Sequence, residues 1–448
     1  MKLHQRVFLT NLPTTLTYCL LLMLLLLLFA CQQKEPVKIN FAFGPDDSGA
    51  VQHLIDEFNQ QHQGDIHVNW TETSRLSNEF YRTVEKDFTA ETPMMDVIGA
   101  DVVWTSAFAQ REWVEDMSDK FYKTYQTDDF LEASLNSAIH QFKIWGVPWY
   151  TDAGILYYRK DLLAQNGYDQ APETWQELKR MSKKMMKEGQ VKYGFVFQGA
   201  NYEGGVANAC EYIWNAGGEI LIGDLSASVS ADPSAGESAI ITVNSPEVIQ
   251  GLEEAYQIVQ SGISPADIYD YKELEAVKVF EQGDAAFMRG WPGVYGRFLK
   301  GNAKVKPDQI GIAALPVSAK GNPSYSCLGG WNLMINAKVS DEKKAAAWTF
   351  IQFMTAPEQQ KYLSAQAGVM PSIHSLYNDE TLVSQVPVIS LAKNIIENTR
   401  VRPVTAHYME ISPDIAWNFN AVLKGQLTPA EAVETIQAQM ESVMAPPL

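Results

Sequence analysis

One short stretch of the sequence puts aromatic rings beside a carboxylate at a turn. Trp149, Tyr150 and Asp152 stand between Pro148 and Gly154, two residue types that are common where a backbone changes direction. Aromatic rings can cover the apolar face of a sugar, and a carboxylate can accept hydrogen bonds from its hydroxyls. The stretch therefore indicates a site that binds a carbohydrate.

Other segments offer similar side chains at the ends of expected strands. Asp101 follows the strand-like run 95–98 and has Trp104 as a neighbour, while Trp291 follows a helix, turn and strand pattern. The run Gly329–Asn332 joins paired glycines to a tryptophan, and glycine lets a backbone approach a ligand closely. The residue types alone leave alternatives open: a helix cap for Asp101 and a buried structural role for Trp291.

The first turn after strand 37–43 contributes two more acids, Asp46 and Asp47. Ligands of α/β proteins lie at the carboxyl ends of strands, so either residue is a candidate to face a cleft. Capping of the helix expected at 50–62 is the alternative.

The hydrophobic pattern predicts the elements that position these residues. Alternation predicts strands at 37–43 and 65–71, and helical spacing predicts helices at 50–62 and 76–88. Thr174 is expected to cap a further helix. This succession of strands and helices is typical of an α/β protein.

Length and charge narrow the function. A chain of 448 residues, 46% hydrophobic and 20% charged, is long enough for two folded lobes of roughly 150 to 200 residues each. Its net charge of -18 argues against nucleic acid as a partner, because a phosphate backbone is bound by clustered lysine and arginine.

The N-terminal sequence has the pattern of an export signal. A basic start precedes the apolar run 18–29, which ends at Cys31 in a pattern that resembles the lipobox of bacterial lipoproteins. Residues 1–30 are then expected to be a signal peptide, Cys31 the lipidated first residue, and 31–36 a tether. A cleaved secretory signal and an uncleaved anchor helix are the alternatives. Either lipidation or secretion places the folded part outside the cytoplasm.

Two cysteines remain beyond this leader, Cys210 and Cys327. They either form a disulfide or stay as two separate buried thiols, and neither has the CxxC spacing of a metal or redox site.

Several stretches together resemble one protein family. They are MDVIGADVVWTSAFAQREWVEDMS, GVPWYTDAGILYYRKDLL, PETWQEL, FEQGDAAFMRGWPGVY and GGWNLMIN, in this order. They resemble the extracellular carbohydrate-binding proteins of bacterial ABC importers, family 1 of the solute-binding proteins. The similarity is nearest the branch that includes trehalose- and maltose-binding proteins, and it is more specific for the family than for the ligand.

The resemblance implies the periplasmic-binding-protein fold, in which two α/β lobes are joined by crossing strands and a ligand cleft lies between them. The N-terminal lobe is expected to hold 37–151 and 313–339, and the C-terminal lobe 152–312 and 340–448.

The family's binding residues, carried over to this sequence, imply a site for a sugar. Its expected members are Asp101, Tyr150, Asp152, Trp291, Gly330, Trp331 and Arg402, with Arg75 and either Asp46 or Asp47, the latter preferred, as further members. Arg402 is preferred to Arg400 because it adjoins Pro403.

The implied function is capture of a disaccharide such as trehalose or maltose and its delivery to the permease subunits of an ATP-driven importer. We expect a monomer, lipid-anchored through Cys31 outside the cytoplasm, which is the periplasm in a two-membrane bacterium. No cofactor, metal or catalytic residue is expected.

Other functions fit some of these residues. A non-sugar solute such as a polyamine or a phosphate ester is the main alternative; the acids suit a cation, whereas the tryptophans and Arg402 suit a neutral polyol. Asp101 and Asp152 could in principle serve a glycoside hydrolase, but the resemblance is to binding proteins. Adjacent Tyr157 and Tyr158 are unlike an iron site, because neighbours in a strand point to opposite faces.

Overall fold

Two β-sheets, each covered by helices, form the two lobes of the protein. The computed structural model describes residues 35–222, 239–299, 301 and 303–445. The expected signal peptide and Cys31, the expected site of lipidation, therefore lie outside the described residues.

The elements are numbered here in chain order. The strands are β1 Val37–Phe43, β2 Ile66–Glu72, β3 Val97–Asp101, β4 Ile139–His140, β5 Lys143–Ile144, β6 Val147–Ala153, β7 Ile155–Arg159, β8 Tyr193–Val196, β9 Leu221–Ile222, β10 Ile240–Ile241, β11 Ala285–Gly290, β12 Ile310–Ala313, β13 Ser326–Ile335, β14 Met370–Pro371 and β15 Thr399–Arg400. The helices are α1 Ala50–Gln61, α2 Ser77–Phe88, α3 Thr105–Gln110, α4 Ser118–Thr124, α5 Glu132–Asn136, α6 Lys160–Gln165, α7 Trp175–Lys187, α8 Glu203–Trp214, α9 Pro246–Gln260, α10 Glu273–Glu281, α11 Tyr295–Leu299, α12 Asp341–Met354, α13 Pro357–Ala367, α14 Glu380–Gln385, α15 Val388–Ile396, α16 Tyr408–Leu423 and α17 Pro429–Met444.

The first sheet has seven strands in the order β14-β6-β13-β3-β1-β2, and β15 pairs with the start of β13. β1 lies parallel to β2 and β3, whereas β13 lies antiparallel to β3 and β6. The alternating residues Ile39 and Phe41 of β1 are fully buried, which is why this run forms a central strand. Because β1 and β3 are parallel, their carboxyl ends lie at the same edge of the sheet.

The second sheet has four strands in the order β12-β7-β11-β8. Helix α8 packs beside it between α9 and α16, and every residue of α8 is buried. Its apolar residues occur on all sides, the pattern of a helix surrounded by protein rather than by water. Thr174 caps α7 as expected, since its hydroxyl accepts the amide of Glu177 at 3.2 Å.

The chain passes from the first sheet to the second at Gly154, the single residue between β6 and β7. It returns later than expected. Val317 still bridges to Thr174 of the second lobe, and the amide of Ser318 donates to Asn215, so the return lies just before β13 instead of at 313.

The expected placement of 340–448 in the second lobe is wrong for its first part. Phe350 of α12 packs on Phe41 of β1 with ring centroids 5.4 Å apart, α13 packs against α1, and β14 pairs with β6. Helices α16 and α17 join the second lobe, where they pack with α8 and α9, and α15 contacts β12 of the second sheet as well as β6 and β13 of the first. Periodicity shows that a helix has an apolar face, but it does not show which sheet covers that face.

Cys210 and Cys327 are both free thiols and both buried, as in the second of the two alternatives for them. None of the helices within the described ranges has the length and apolar character that a membrane span requires.

Candidate functional site

A cavity of about 1150 Å³ lies between the lobes. Residues from both lobes line it, including the ends of β1 and β3 on one side and α8 and α10 on the other. Every sequence-predicted site residue lies in this lining: Asp47, Arg75, Asp101, Tyr150, Asp152, Trp291, Gly330, Trp331 and Arg402.

Arg400, the rejected alternative to Arg402, is not among the lining residues. Its guanidinium lies 3.5 Å from the ring centroid of Tyr325 and pairs with Glu219. The structure thus uses Arg400 in packing near the start of β13.

A buried charge cluster joins the two lobes at the cavity. Arg402 donates from Nη2 to Oδ1 of Asp101 at 3.0 Å, and from Nη1 to Oε1 of Glu203 at 2.5 Å. Asp101 ends β3 of the first sheet, whereas Glu203 begins α8 of the second lobe. Arg402 is only 4% exposed, and a buried charge without partners would be strongly unfavourable. The two carboxylates therefore hold the guanidinium at the cavity wall.

Glu203 is a site residue that the sequence analysis missed. Its carboxylate also accepts the hydroxyls of Tyr408 and Ser412, the latter at 2.5 Å. Burial raises the pKa of Glu203, while the charge of Arg402 opposes that rise. Little in the sequence indicates this role, because an acid in the first turn of a helix is ordinary and the partner Arg402 is 199 residues away.

The carboxyl group of Asp152 has a different environment. It lies on β6 and accepts one hydrogen bond, from the amide of Ala153 at 3.2 Å. Burial raises the pKa of Asp152 to about 7, although that amide and the charge of Arg289 lower it. Its oxygens thus retain capacity for hydrogen bonds from a ligand.

Tyr150 lies two residues before Asp152 on the same strand and is partly buried. Burial raises the pKa of its phenol well above the ordinary value, and the carboxylates of Asp152, Asp46 and Asp101 raise it further. The phenol therefore stays protonated and can donate a hydrogen bond at any physiological pH.

The two tryptophans lie on rigid supports. Trp331 of β13 is partly buried and packs edge-on against Phe43 and Trp104, with ring centroids 5.1 and 5.8 Å apart. Trp291 follows β11, and the guanidinium of Arg289 lies 3.9 Å from its ring centroid. One face of Trp291 is thus covered by protein, which leaves the other face for the cavity.

Gly330 has a positive φ of 117°, a conformation that residues with a side chain rarely adopt. A Cβ atom there would lie 2.4 Å from the carbonyl oxygen of Tyr150. From the sequence, the paired glycines are expected to let a ligand approach closely. In the structure, the close approach at Gly330 is between β13 and β6.

The first-lobe edge of the cleft carries the weaker predicted members. Arg75 and Asp47 form an exposed ion pair at 2.9 Å. Asp46 accepts the amide of Val51 at 2.9 Å and both the amide and the hydroxyl of Ser48, so it caps α1 while it also lines the cavity. Both interpretations of Asp46 therefore hold.

The loop that holds Trp291 is tied down by Tyr157. The tyrosine hydroxyl donates to the carbonyl oxygens of Trp291 and Pro292 at 2.9 and 3.1 Å.

Within the described ranges, no group of three or more acidic, histidine or cysteine side chains is arranged to hold a metal ion.

A comparison with protein families decides the class of this molecule. A family model described as bacterial extracellular solute-binding protein matches residues 44–361. The chain belongs to this family.

Similar proteins and solved structures agree with this family assignment. It is 33% identical over 361 residues to a protein of Deinococcus radiodurans named probable ABC transporter-binding protein, covering 79% of this chain and 81% of that one. Among solved structures, it is similar to maltose-bound MalE3 of T. maritima, at 33% identity and a TM-score of 0.82, over 91% of this chain and 100% of the other. It is also similar to a ribitol-bound solute-binding protein of Agrobacterium radiobacter K84, at 25% identity and a TM-score of 0.76, over 92% of this chain and 99% of that one.

The fold of this solute-binding protein is that of periplasmic binding proteins. The protein is the solute-binding component of an ABC transporter and acts outside the cytoplasm. Its family and fold are those of transport binding proteins, not of enzymes.

Proposed function

We propose that this solute-binding protein captures a sugar, a disaccharide such as maltose or trehalose, and delivers it to the permease of its importer. One observation carries the proposal: the cleft combines aromatic platforms with carboxylates that can still accept hydrogen bonds. Trp291, Trp331 and Tyr150 supply the rings, and Asp152 and Asp101 supply the acceptors.

These groups suit a neutral polyol. A pyranose has an apolar face that a tryptophan ring can cover, and its hydroxyls at the rim can donate to carboxylates. Asp101 uses Oδ1 for both Arg402 and the amide of Val103, so Oδ2 is the oxygen that would accept from a ligand hydroxyl. The cationic Arg402 is already neutralised by two acids, which makes it a poor trap for a free anion.

Closure of the lobes would complete the site. Asp101 and Trp331 belong to the first sheet, whereas Trp291 follows β11 of the second. A solute that contacts both groups binds the closed arrangement better than the open one and so shifts the population toward it. The permease would then distinguish loaded from empty protein by shape.

A solved structure supports a sugar as the solute, since the similar MalE3 of T. maritima has maltose bound.

We further propose that lipid on Cys31 anchors the protein to the membrane. Wild-type protein should incorporate a labelled fatty acid in its bacterial host, and Cys31→Ser should not; wild-type protein without label would contradict the anchor.

The substrate is tested with protein that begins at residue 32. A thermal-shift screen against trehalose, maltose, sucrose, longer glucans, polyamines and phosphate esters is followed by calorimetry on each hit. A ligand that binds only the folded state raises the melting temperature by mass action. A shift with a disaccharide is expected, and binding of a polyamine or phosphate ester with no response to any sugar would overturn the proposal.

A matched pair of variants locates the site. Trp291→Ala should weaken binding of the sugar by about tenfold or more, the loss of one well-made contact. Trp417, which is 50% exposed on α16 and does not line the cavity, serves as control, and Trp417→Ala should bind like wild type. Equal affinities of wild type, Trp291→Ala and Trp417→Ala would show that the sugar binds away from Trp291.

A further inference from the structure

Arg289 occupies an unusual place for a charged residue. It stands next to last in β11, a strand whose residues are all buried, and its side chain is 1% exposed. Neither Arg289 nor its partner Glu211 lines the cavity, so neither would touch a bound solute. A buried ion pair contributes little to net stability, which leaves its presence in this sheet to be explained by another role.

The guanidinium is fixed in one plane. Nε and Nη2 donate to the two oxygens of Glu211 at 2.9 and 2.7 Å, and Nη1 donates to Oε1 of Gln198 at 3.3 Å. Gln198 is itself fully buried and donates back to the carbonyl oxygen of Arg289 at 3.1 Å. A planar group held by a two-bond fork and a third bond has little freedom to rotate.

The guanidinium lies over the ring of Trp291. Cζ of Arg289 is 3.9 Å from the ring centroid, within the range of a cation–π contact. Gly329 stands at the edge of the ring, because a Cβ atom there would lie 3.1 Å from Cζ3 of Trp291. With the backbone of Trp291 also anchored by Tyr157, the guanidinium is the support that sets the tilt of the ring.

The same ion pair contacts two of the crossings between the lobes. Oε1 of Glu211 accepts the amide of Cys327 in β13 at 3.1 Å. Gly154 leaves room for the pair at the other crossing, since a Cβ atom there would lie 1.8 Å from Oε1 of Glu211. The support of Trp291 is thus tied to the segments about which the lobes would move.

We propose that Arg289 is a positioning residue for solute binding, which holds the ring of Trp291 against the cleft and ties it to the interlobe crossings through Glu211. The inference rests on the proposed function only in that Trp291 contacts the solute. Lysine cannot replace the arginine, because an ammonium group keeps the charge but lacks the plane and the fork.

A double-mutant cycle tests this role. Arg289→Lys should weaken binding of the identified solute by about fivefold in the wild-type background and by less than twofold once Trp291→Ala is present, since contacting residues are not additive. Arg159→Lys is the matched control: Arg159 makes a bidentate pair with Asp161 at 2.7 and 2.5 Å in the same sheet and lies away from the cavity. The control should leave affinity unchanged in both backgrounds.

Equal losses in both backgrounds, or full affinity of Arg289→Lys, would overturn the proposal. If Arg289→Lys does not fold, Gln198→Ala takes its place, because it removes one bond to the guanidinium and leaves Glu211 in position. Binding of a non-sugar solute by wild type would refute the proposed substrate while the cycle, run with that solute, still decides the role of Arg289.

A readout without ligand separates positioning from a general loss of structure. In protein labelled with 5-fluorotryptophan, the resonance that disappears in Trp291→Phe reports on Trp291, and the resonance lost in Trp417→Phe reports on the exposed ring. Arg289→Lys should shift or broaden the first and leave the second unchanged. An unchanged Trp291 resonance would contradict the proposed support, and shifts of both would indicate a structural role only.

Discussion

Binding of a neutral sugar by this protein should depend on pH through Asp152. Burial raises the pKa of that carboxyl from an ordinary 3.8 to about 7, and the ionised group is the better acceptor for two hydroxyls. If the ionised form binds, apparent affinity is reduced by the ionised fraction of the free protein. At pH 6 that fraction is about one tenth, so affinity should be about tenfold below its plateau above pH 8.

Stability of the free protein should change with pH in the opposite direction. The folded state holds the Asp152 proton up to a pKa of about 7, whereas the unfolded chain releases it near 3.8. Stability from this group is therefore fully present below pH 3.8 and is lost as pH rises toward 7, by at most about 4 kcal/mol. Asp152→Asn should remove this loss and be the more stable protein at pH 8.

Calorimetry from pH 5.5 to 8.5 checks the binding profile, and urea unfolding over the same range checks stability. Glu203 also has a pKa raised by burial, but Asp152→Asn separates the two groups. Burial tends to raise the pKa of Asp161, but the hydrogen bonds and charge of Arg159 outweigh it and lower that pKa. Asp161 lies outside the cavity, so Asp161→Asn should keep the wild-type profile. A flat binding profile for wild type, or the same slope in Asp152→Asn, would refute the reasoning.

Two glycines should tolerate no side chain. Gly154→Ala would drive a methyl group into Glu211 and break its buried pair, at a cost of about 3 to 5 kcal/mol in urea unfolding; wild-type stability would show that the pair can shift freely. Gly330→Ala adds a positive-φ cost to a clash with the backbone of Tyr150 and should cost about 2 to 5 kcal/mol. Gly167→Ala isolates the conformational part, since Gly167 has φ 75° and open space around it, and should cost only about 1 to 2 kcal/mol. Equal losses of stability for Gly330→Ala and Gly167→Ala would contradict a clash between a side chain at position 330 and the backbone of Tyr150.

Local patterns predicted the first lobe well. Strand β1 has the predicted bounds, and α1 and α2 each differ by one residue, because alternation and helical spacing there are strong and glycine or polar turns interrupt them. Predicted strand ends placed Asp101 and Asp46 at the cleft for a local reason, since the carboxyl ends of parallel strands meet at one edge. Tyr150, Asp152, Trp331 and Arg402 required the family resemblance as well.

Contacts between distant segments were beyond the sequence. Arg289 sits in a run that reads as an ordinary apolar strand, and its partner Glu211 is 78 residues away. Glu203 and Arg402 are 199 residues apart, and nothing local in either segment indicates the other. The first-lobe position of α12 was missed for the same reason, since many surfaces can cover one apolar face.

The order of the cleft residues along the chain sets when the protein can first hold its solute. They run from Asp47 near the start of the folded part to Arg402 near its end, and Arg402 must pair with Glu203 before the wall of the cavity is complete. A chain still being made or exported therefore has no finished cleft, and contacts over such separations form slowly because closing a long loop first costs entropy. The protein would reach its compartment empty and take up its cargo only there.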